Sequence, residues 1–83
     1  MEVKILGSGC PSCRALNIRV HDALERLESD ATVEFVDDYA VMAQYRIMSI
    51  PALVIDDQLI FNGMVPQTES LMQLFASFEE SRA

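Results

Sequence analysis

The sequence predicts an α/β fold in which strands and helices follow the order β-α-β-α-β-β-α. Two observations predict this class. The apolar pattern switches repeatedly between a period of two and a period near 3.6, and the switches fall at glycine, proline or aspartate turn signals. Because the chain has 83 residues and no repeats or linkers, we expect one domain that spans residues 1–83.

The first strand and the first helix meet at a turn that contains both cysteines. Val3 and Ile5 alternate with charged residues and predict a strand, and residues 12 to about 28 then follow a helical period. The apolar face of this helix comprises Cys13, Leu16, Val20, Ala23, Leu24 and Leu27. Cys13 is therefore expected on the buried side of the first turn, whereas Cys10 lies at the cap, nearer to solvent.

The middle of the chain predicts a second strand and a short helix. Residues 32–37 alternate again, with Val33 and Phe35 expected to face inward. Asp37-Asp38 offers a helix N-cap, because an aspartate oxygen can accept a hydrogen bond from an unpaired amide of the first turn. The helix that follows is predicted over residues 39–45.

A hairpin and a last helix complete the predicted order. Residues 51–55 form a strand with proline only at its first position, where a missing N–H is tolerated. A turn at residues 56–57 reverses the chain into a partner strand over 58–62. The last helix is predicted over residues 68–78, and residues 79–83 are expected to fray.

Charge and composition exclude several kinds of partner. The chain has 13 Asp and Glu residues against 6 Lys and Arg, and the basic residues are scattered. Phosphate binding needs clustered positive charge, so we do not expect nucleic acid as a partner. No leader pattern or membrane-length apolar run is visible, and the two cysteines do not form a disulfide framework. We therefore expect a cytoplasmic protein without a membrane partner.

The cysteines lie in the run Gly7-Ser8-Gly9-Cys10-Pro11-Ser12-Cys13, between the first strand and the first helix. The spacer residues Pro11 and Ser12 place both sulfurs on one helical turn, where they can meet. The first sulfur lies at the helix N-terminus. There the free backbone N–H groups and the positive end of the helix dipole stabilise a thiolate.

Three features together resemble the thioredoxin fold in its minimal form over nearly the whole chain. They are the Gly-Cys-Pro-Ser-Cys turn between strand and helix, Ser49-Ile50-Pro51 before the third strand, and Gly63 after the fourth. The chain is most similar to the small thioredoxin- and glutaredoxin-like redox-active disulfide proteins. The resemblance implies a four-stranded mixed sheet with helices on both faces. Its first strand would be central, parallel to the second and antiparallel to the third.

The resemblance also implies a function. It predicts a thiol–disulfide oxidoreductase without a cofactor, in which Cys10 attacks a protein disulfide and Cys13 resolves the mixed disulfide. It implies a cis Ile50–Pro51 bond against the cysteines. We expect the backbone at Ile50 to pair with the substrate chain. Gly63 and Met64 would form the opposite wall. The expected partners are disulfide-containing proteins and a flavoenzyme of the thioredoxin-reductase type, and the protein is expected to be a monomer.

The chain departs from the family pattern at several positions. Lys4 stands where thioredoxins have a buried aspartate, and Gly9 replaces the tryptophan beside the motif. Asn62-Gly63-Met64-Val65 replaces the paired glycines and nearby aspartate of the glutaredoxin glutathione site, so we expect glutathione to be a poor electron donor. Arg46 occupies a position where the family usually has glycine, and a left-handed backbone there would be strained.

Metal binding is the alternative interpretation of the cysteine pair. Two cysteines at this spacing are half of a zinc site. His21 follows Cys13 by eight residues, which is about 12 Å along one helix and too far for a shared ion. A zinc or iron–sulfur site would therefore need a dimer. The copper-chaperone family has methionine two residues before its first cysteine, where this chain has Ser8.

Overall fold

The computed structural model describes residues 1–82, and its elements follow the predicted order. They are β1 (Glu2–Leu6), α1 (Pro11–Arg26), β2 (Thr32–Val36), α2 (Tyr39–Gln44), β3 (Ala52–Ile55), β4 (Gln58–Asn62) and α3 (Thr68–Arg82). The four strands form one sheet in the order β2-β1-β3-β4. β1 is parallel to β2 and antiparallel to β3, and β3 pairs with β4 as an antiparallel hairpin. The predicted mixed sheet with a central first strand is confirmed.

The helices cover both faces of this sheet, as predicted. Val3 and Ile5 lie on one face of β1 and pack against α1 and α3, in a core whose buried members are Val3, Ile5, Leu16, Val20, Ala23, Leu24, Leu53, Ile55, Leu71 and Phe75. Leu6 lies in a second, smaller core that holds α2 on the other face and comprises Leu6, Met42, Ala52 and Val54. Each fully buried large side chain contributes about 1.5–3 kcal/mol, so the first core anchors α1 more strongly than the second anchors α2.

Two helices end two or more residues away from the predicted position. α1 ends at Arg26 rather than near residue 28, because the backbone of Glu28 takes a left-handed φ of 53° and the amide of Ser29 bonds back to Leu24. α3 continues through Arg82, so the predicted end of the helix at residue 78 was wrong, and Ala83 lies outside the described residues. The Ser29 hydroxyl donates a hydrogen bond to the Glu79 carboxylate, which holds the last part of α3 against the turn after α1.

Phe35 was expected to face inward, but the structure leaves part of it exposed to solvent. Its side chain is 39% exposed, although it pairs in register with the fully buried Ile5. β2 is an edge strand, and its outer side has no neighbouring strand. The alternation of apolar residues therefore gave the correct face of Phe35 but not its burial.

The register of the sheet brings four chain segments to one edge. Leu6 at the end of β1 pairs with Val36 at the end of β2 and with Ala52 at the start of β3. Ala52 in turn pairs with Asn62 at the end of β4. The turn with the cysteines, the Ile50-Pro51 segment and Gly63 are therefore at the same edge. Among residues 1–82, no helix combines the length and apolarity that a membrane span needs.

Candidate active site

Cys10 and Cys13 form a disulfide at the N-terminus of α1, and their Cα atoms are 5.2 Å apart. Cys10 is the N-cap of the helix and has an extended backbone. Pro11 occupies the first helical position, where its fixed φ suits the helix and its missing N–H leaves no unpaired donor. The distance between the two Cα atoms therefore allows the cysteines to form a disulfide when oxidised and to return to a dithiol when reduced.

Cys13 is enclosed by the turn that precedes it. Its side chain is fully buried, and its sulfur accepts a hydrogen bond from the backbone amide of Ser8 at 3.4 Å. A Cβ atom at Gly7 would lie 2.8 Å from the sulfur of Cys13 and 3.9 Å from the Phe35 ring. Position 7 therefore has room for glycine alone while Cys13 keeps this position.

Cys10 has an open side. Its side chain is half-buried, and its sulfur accepts a hydrogen bond from the backbone amide of Cys13 at 3.1 Å. The first turn of α1 has no acidic side chain that would oppose a thiolate. A Cβ atom at Gly9 would have no neighbour within 4 Å, and Pro11 and Ser12 are exposed. The helix N-terminus can therefore stabilise a thiolate that a partner can approach.

The Ile50–Pro51 peptide bond is cis, as the resemblance implied. Pro51 is buried, and its carbonyl accepts a hydrogen bond from the amide of Gly63 at 2.8 Å. The turn, loop and cap backbone hydrogen bonds of residues 1–82 include none from Ile50. This segment is therefore fixed to the loop after β4 through Pro51, and Ile50 has no such bond in the part of the chain that the structure describes.

The loop after β4 lies beside the Ile50-Pro51 segment. Gly63 has a left-handed φ of 75°, and a Cβ atom there would collide with the Ser49 hydroxyl. That hydroxyl donates a hydrogen bond to the Asn62 side chain at 3.1 Å. Met64 follows and is 51% exposed. The structure thus brings Gly63 against residues 49–51 and leaves Met64 accessible at the same edge of the sheet.

Lys4 does not reproduce the buried aspartate of thioredoxins. Strand alternation directs Lys4 to the face of the sheet opposite Val3 and Ile5, away from the face that α1 covers. The hydrogen bond that the Lys4 ammonium donates to the Tyr45 oxygen, together with the nearby carboxylates of Asp57 and Glu34, raises the pKa of Lys4 above its ordinary value of 10.5. Its ammonium lies 3.8 Å from Asp57, at the opposite edge of the sheet from the cysteines.

Two other positions were singled out in the sequence. Arg46 takes the left-handed backbone, with φ of 54°, that its place in the family pattern predicted. His21 is exposed. In the part of the chain that the structure describes, no group of three or more His, Cys, Asp or Glu side chains is arranged to hold a metal ion.

Two residues that were not predicted from the sequence contact Cys13 or the loop after β4. One is Gly7, whose missing side chain makes room for the sulfur of Cys13. The other is Arg19, whose guanidinium donates hydrogen bonds to the carbonyls of Val65 and Pro66 at 3.1 and 3.0 Å. The glycine after a strand was a usable signal for a close approach. Arg19 is separated along the chain from Val65 by 46 positions and from Pro66 by 47 positions. No local sequence pattern therefore predicts this contact.

A disulfide-bonded cysteine pair at a helix N-terminus, with a cis-proline segment at the same sheet edge, defines a thiol–disulfide oxidoreductase. Comparison with known proteins agrees with this class. A family model described as "Thioredoxin domain" matches residues 1–76, and the chain belongs to that family. The thioredoxin of Methanocaldococcus jannaschii is 30% identical over 80 residues, which cover 96% of this chain and 92% of that protein.

A solved structure gives an independent comparison of the fold. Thioredoxin 1 from the thermophilic eubacterium Thermosipho africanus TCF52B superposes with a TM-score of 0.68, and the match covers 100% of both chains. Its sequence identity to this chain is 18%, so this likeness concerns the fold alone.

Proposed function

We propose that the protein reduces disulfides in other proteins, with Cys10 as the attacking thiol and Cys13 as the resolving thiol. The Cys10 thiolate attacks one sulfur of the substrate disulfide, and the other substrate sulfur leaves as a thiolate. The Cys13 thiolate then attacks the sulfur of Cys10, and the second substrate thiolate leaves. The substrate gains two electrons and the Cys10–Cys13 pair becomes a disulfide.

One observation carries this assignment of roles. Cys13 is fully buried against Gly7, whereas Cys10 is half-buried at the helix cap beside the open space at Gly9. A protein disulfide is bulky, so its sulfur can be reached by the accessible thiolate first. The buried thiol lies on the same turn and needs to reach only the sulfur of Cys10.

We further propose that the substrate chain is held by Ile50, Pro51, Gly63 and Met64, with Pro11 and Ser12 on the approach side. The backbone of Ile50 has no loop hydrogen bond among residues 1–82, so its N–H and C=O are available to an extended peptide. Met64 offers a flexible apolar side chain that adapts to different partners. This arrangement favours recognition of backbone and apolar surface over recognition of one sequence.

Trapping experiments test the assigned roles. Cys13→Ser should accumulate mixed disulfides with a disulfide-bonded test protein such as insulin, because the attack by Cys10 remains and resolution is lost. Cys10→Ser should accumulate few, because the remaining thiol is buried. Non-reducing electrophoresis with mass spectrometry measures both. Equal trapping by the two variants would rule out ordered attack and resolution.

We also propose that a flavoenzyme of the thioredoxin-reductase type recharges the protein, which works as a cytoplasmic monomer of one domain over residues 1–83. The residues Asn62-Gly63-Met64-Val65 do not match a glutathione site, and a reducing compartment keeps the dithiol form available. Such a reductase with its nicotinamide donor should support turnover, and glutathione with its reductase should not. Turnover with glutathione alone would contradict the proposed donor.

A further inference from the structure

The loop after β4 is held at two points, one on each side of Met64. We call residues 63–66 the Met64 loop. On one side, the amide of Gly63 donates a hydrogen bond to the carbonyl of Pro51 at 2.8 Å. On the other side, the guanidinium of Arg19 donates to the carbonyls of Val65 and Pro66. The exposed Met64 side chain therefore projects from a backbone that is fixed before and after it.

Arg19 differs from a neighbouring arginine on the same helix. Arg26 pairs with the carboxylates of Asp22 and Glu69, as surface arginines commonly do. Arg19 is half-buried and makes no salt bridge among residues 1–82. Both of its hydrogen bonds go to carbonyls of the Met64 loop. A planar guanidinium can donate hydrogen bonds to two adjacent carbonyls at once. Arg19 therefore holds the backbone of the Met64 loop in place.

We propose that Arg19 is a positioning residue that sets Met64 against the substrate approach to Cys10. Arg19 and the cysteines share α1, which begins at Pro11 with Cys10 as its cap. The helix spans about 12 Å between Pro11 and Arg19, and its hydrogen-bonded backbone transmits position from one to the other. This inference rests on the proposed function, because it assumes that Met64 borders the substrate.

The test compares Arg19→Met with Arg26→Met, which removes the same charge from the same helix without touching the Met64 loop. Pre-reduced protein is mixed with insulin, and separately with hydroxyethyl disulfide, which is too small to need the wall at Met64. For Arg19→Met we expect the rate constant with insulin to fall about threefold to tenfold. Its rate with hydroxyethyl disulfide and the reduction potential of the cysteine pair should stay at the wild-type values, and Arg26→Met should match wild type in every assay.

Two further variants separate positioning from general stability. Arg19→Lys keeps one donor for the loop carbonyls and should recover part of the insulin rate. Arg19→Met should have no additional effect on the insulin rate in a Met64→Ala background, because the wall is already lost there. If Arg19→Met does not fold, the same cycle with Arg19→Lys and Met64→Ala decides the question.

The outcomes distinguish this inference from the function on which it rests. An unchanged insulin rate in a folded Arg19 variant overturns the positioning role. Equal losses with insulin and hydroxyethyl disulfide also overturn it, because they place the defect at the cysteines. If wild-type protein reduces hydroxyethyl disulfide but not insulin, then the proposed action on protein disulfides fails, whatever the variants do.

Discussion

The two cysteines lie three residues apart on one turn, yet their surroundings differ in packing density and in access to solvent. Around Cys13 the chain is close-packed, and a single added carbon at Gly7 would collide with its sulfur. Around Cys10 the chain is open, and an added carbon at Gly9 would meet nothing within 4 Å. We call the region of Gly7 and Cys13 the closed half of the motif and the region of Gly9 and Cys10 the open half. Their difference follows from helix geometry, because Cys13 lies on the apolar face of α1 and Cys10 lies at its cap.

The largest effect that we expect from this comparison is on stability. Gly7→Ala should lower the free energy of unfolding by about 1–3 kcal/mol, because its Cβ forces the buried Cys13 or the strand end to move. Gly9→Ala makes the same chemical change two residues away and should stay within about 0.5 kcal/mol of wild type. Urea unfolding of the oxidised proteins measures both. Equal losses in the two variants would remove the distinction between the closed and open halves.

Gly63, in the loop after β4, provides a second test of how tightly this end of the sheet is packed. Gly63→Ala should cost about 1–2 kcal/mol of unfolding free energy, because a side chain is strained at its left-handed φ and would press on the Ser49 hydroxyl. Arg46 already bears such a backbone with a side chain, so Arg46→Gly serves as the opposite control. It should keep or raise stability. A neutral Gly63→Ala together with a destabilising Arg46→Gly would contradict this account.

The smallest effect concerns Lys4, which should influence neither half of the motif. Its pKa is raised in the folded protein by Tyr45, Asp57 and Glu34, so its contribution to stability is present below pH 10.5 and is lost as the pH rises through the folded value. Between about pH 10 and 12, roughly the range in which lysine titrates, the free energy of unfolding should fall less in Lys4→Met than in wild type. At neutral pH, Cys10 and Cys13 of the Lys4→Met variant should be alkylated in the same order as in wild type. A changed cysteine reactivity would mean that Lys4 acts on the site.

The parts of the site that depend on local pattern were predictable from sequence. The cap position of Cys10, the buried position of Cys13 and the order of elements follow from turn signals and helical period. The cis bond at Pro51 came from resemblance, since most X–Pro bonds are trans. The burial of Phe35 was mispredicted because alternation does not reveal that β2 is an edge strand. The bonds from Arg19 to the Met64 loop depend on how distant segments pack, which no local signal contains.

Selective alkylation tests the difference between the two cysteines most directly. Freshly reduced protein is treated near neutral pH with less iodoacetamide than thiol, and the modified cysteine is identified by mass mapping. We expect Cys10 to be modified first, because its thiolate is stabilised at the helix N-terminus and lies in the open half of the motif. Modification of Cys13 before Cys10 would contradict the account and reverse the roles of attacking and resolving thiol.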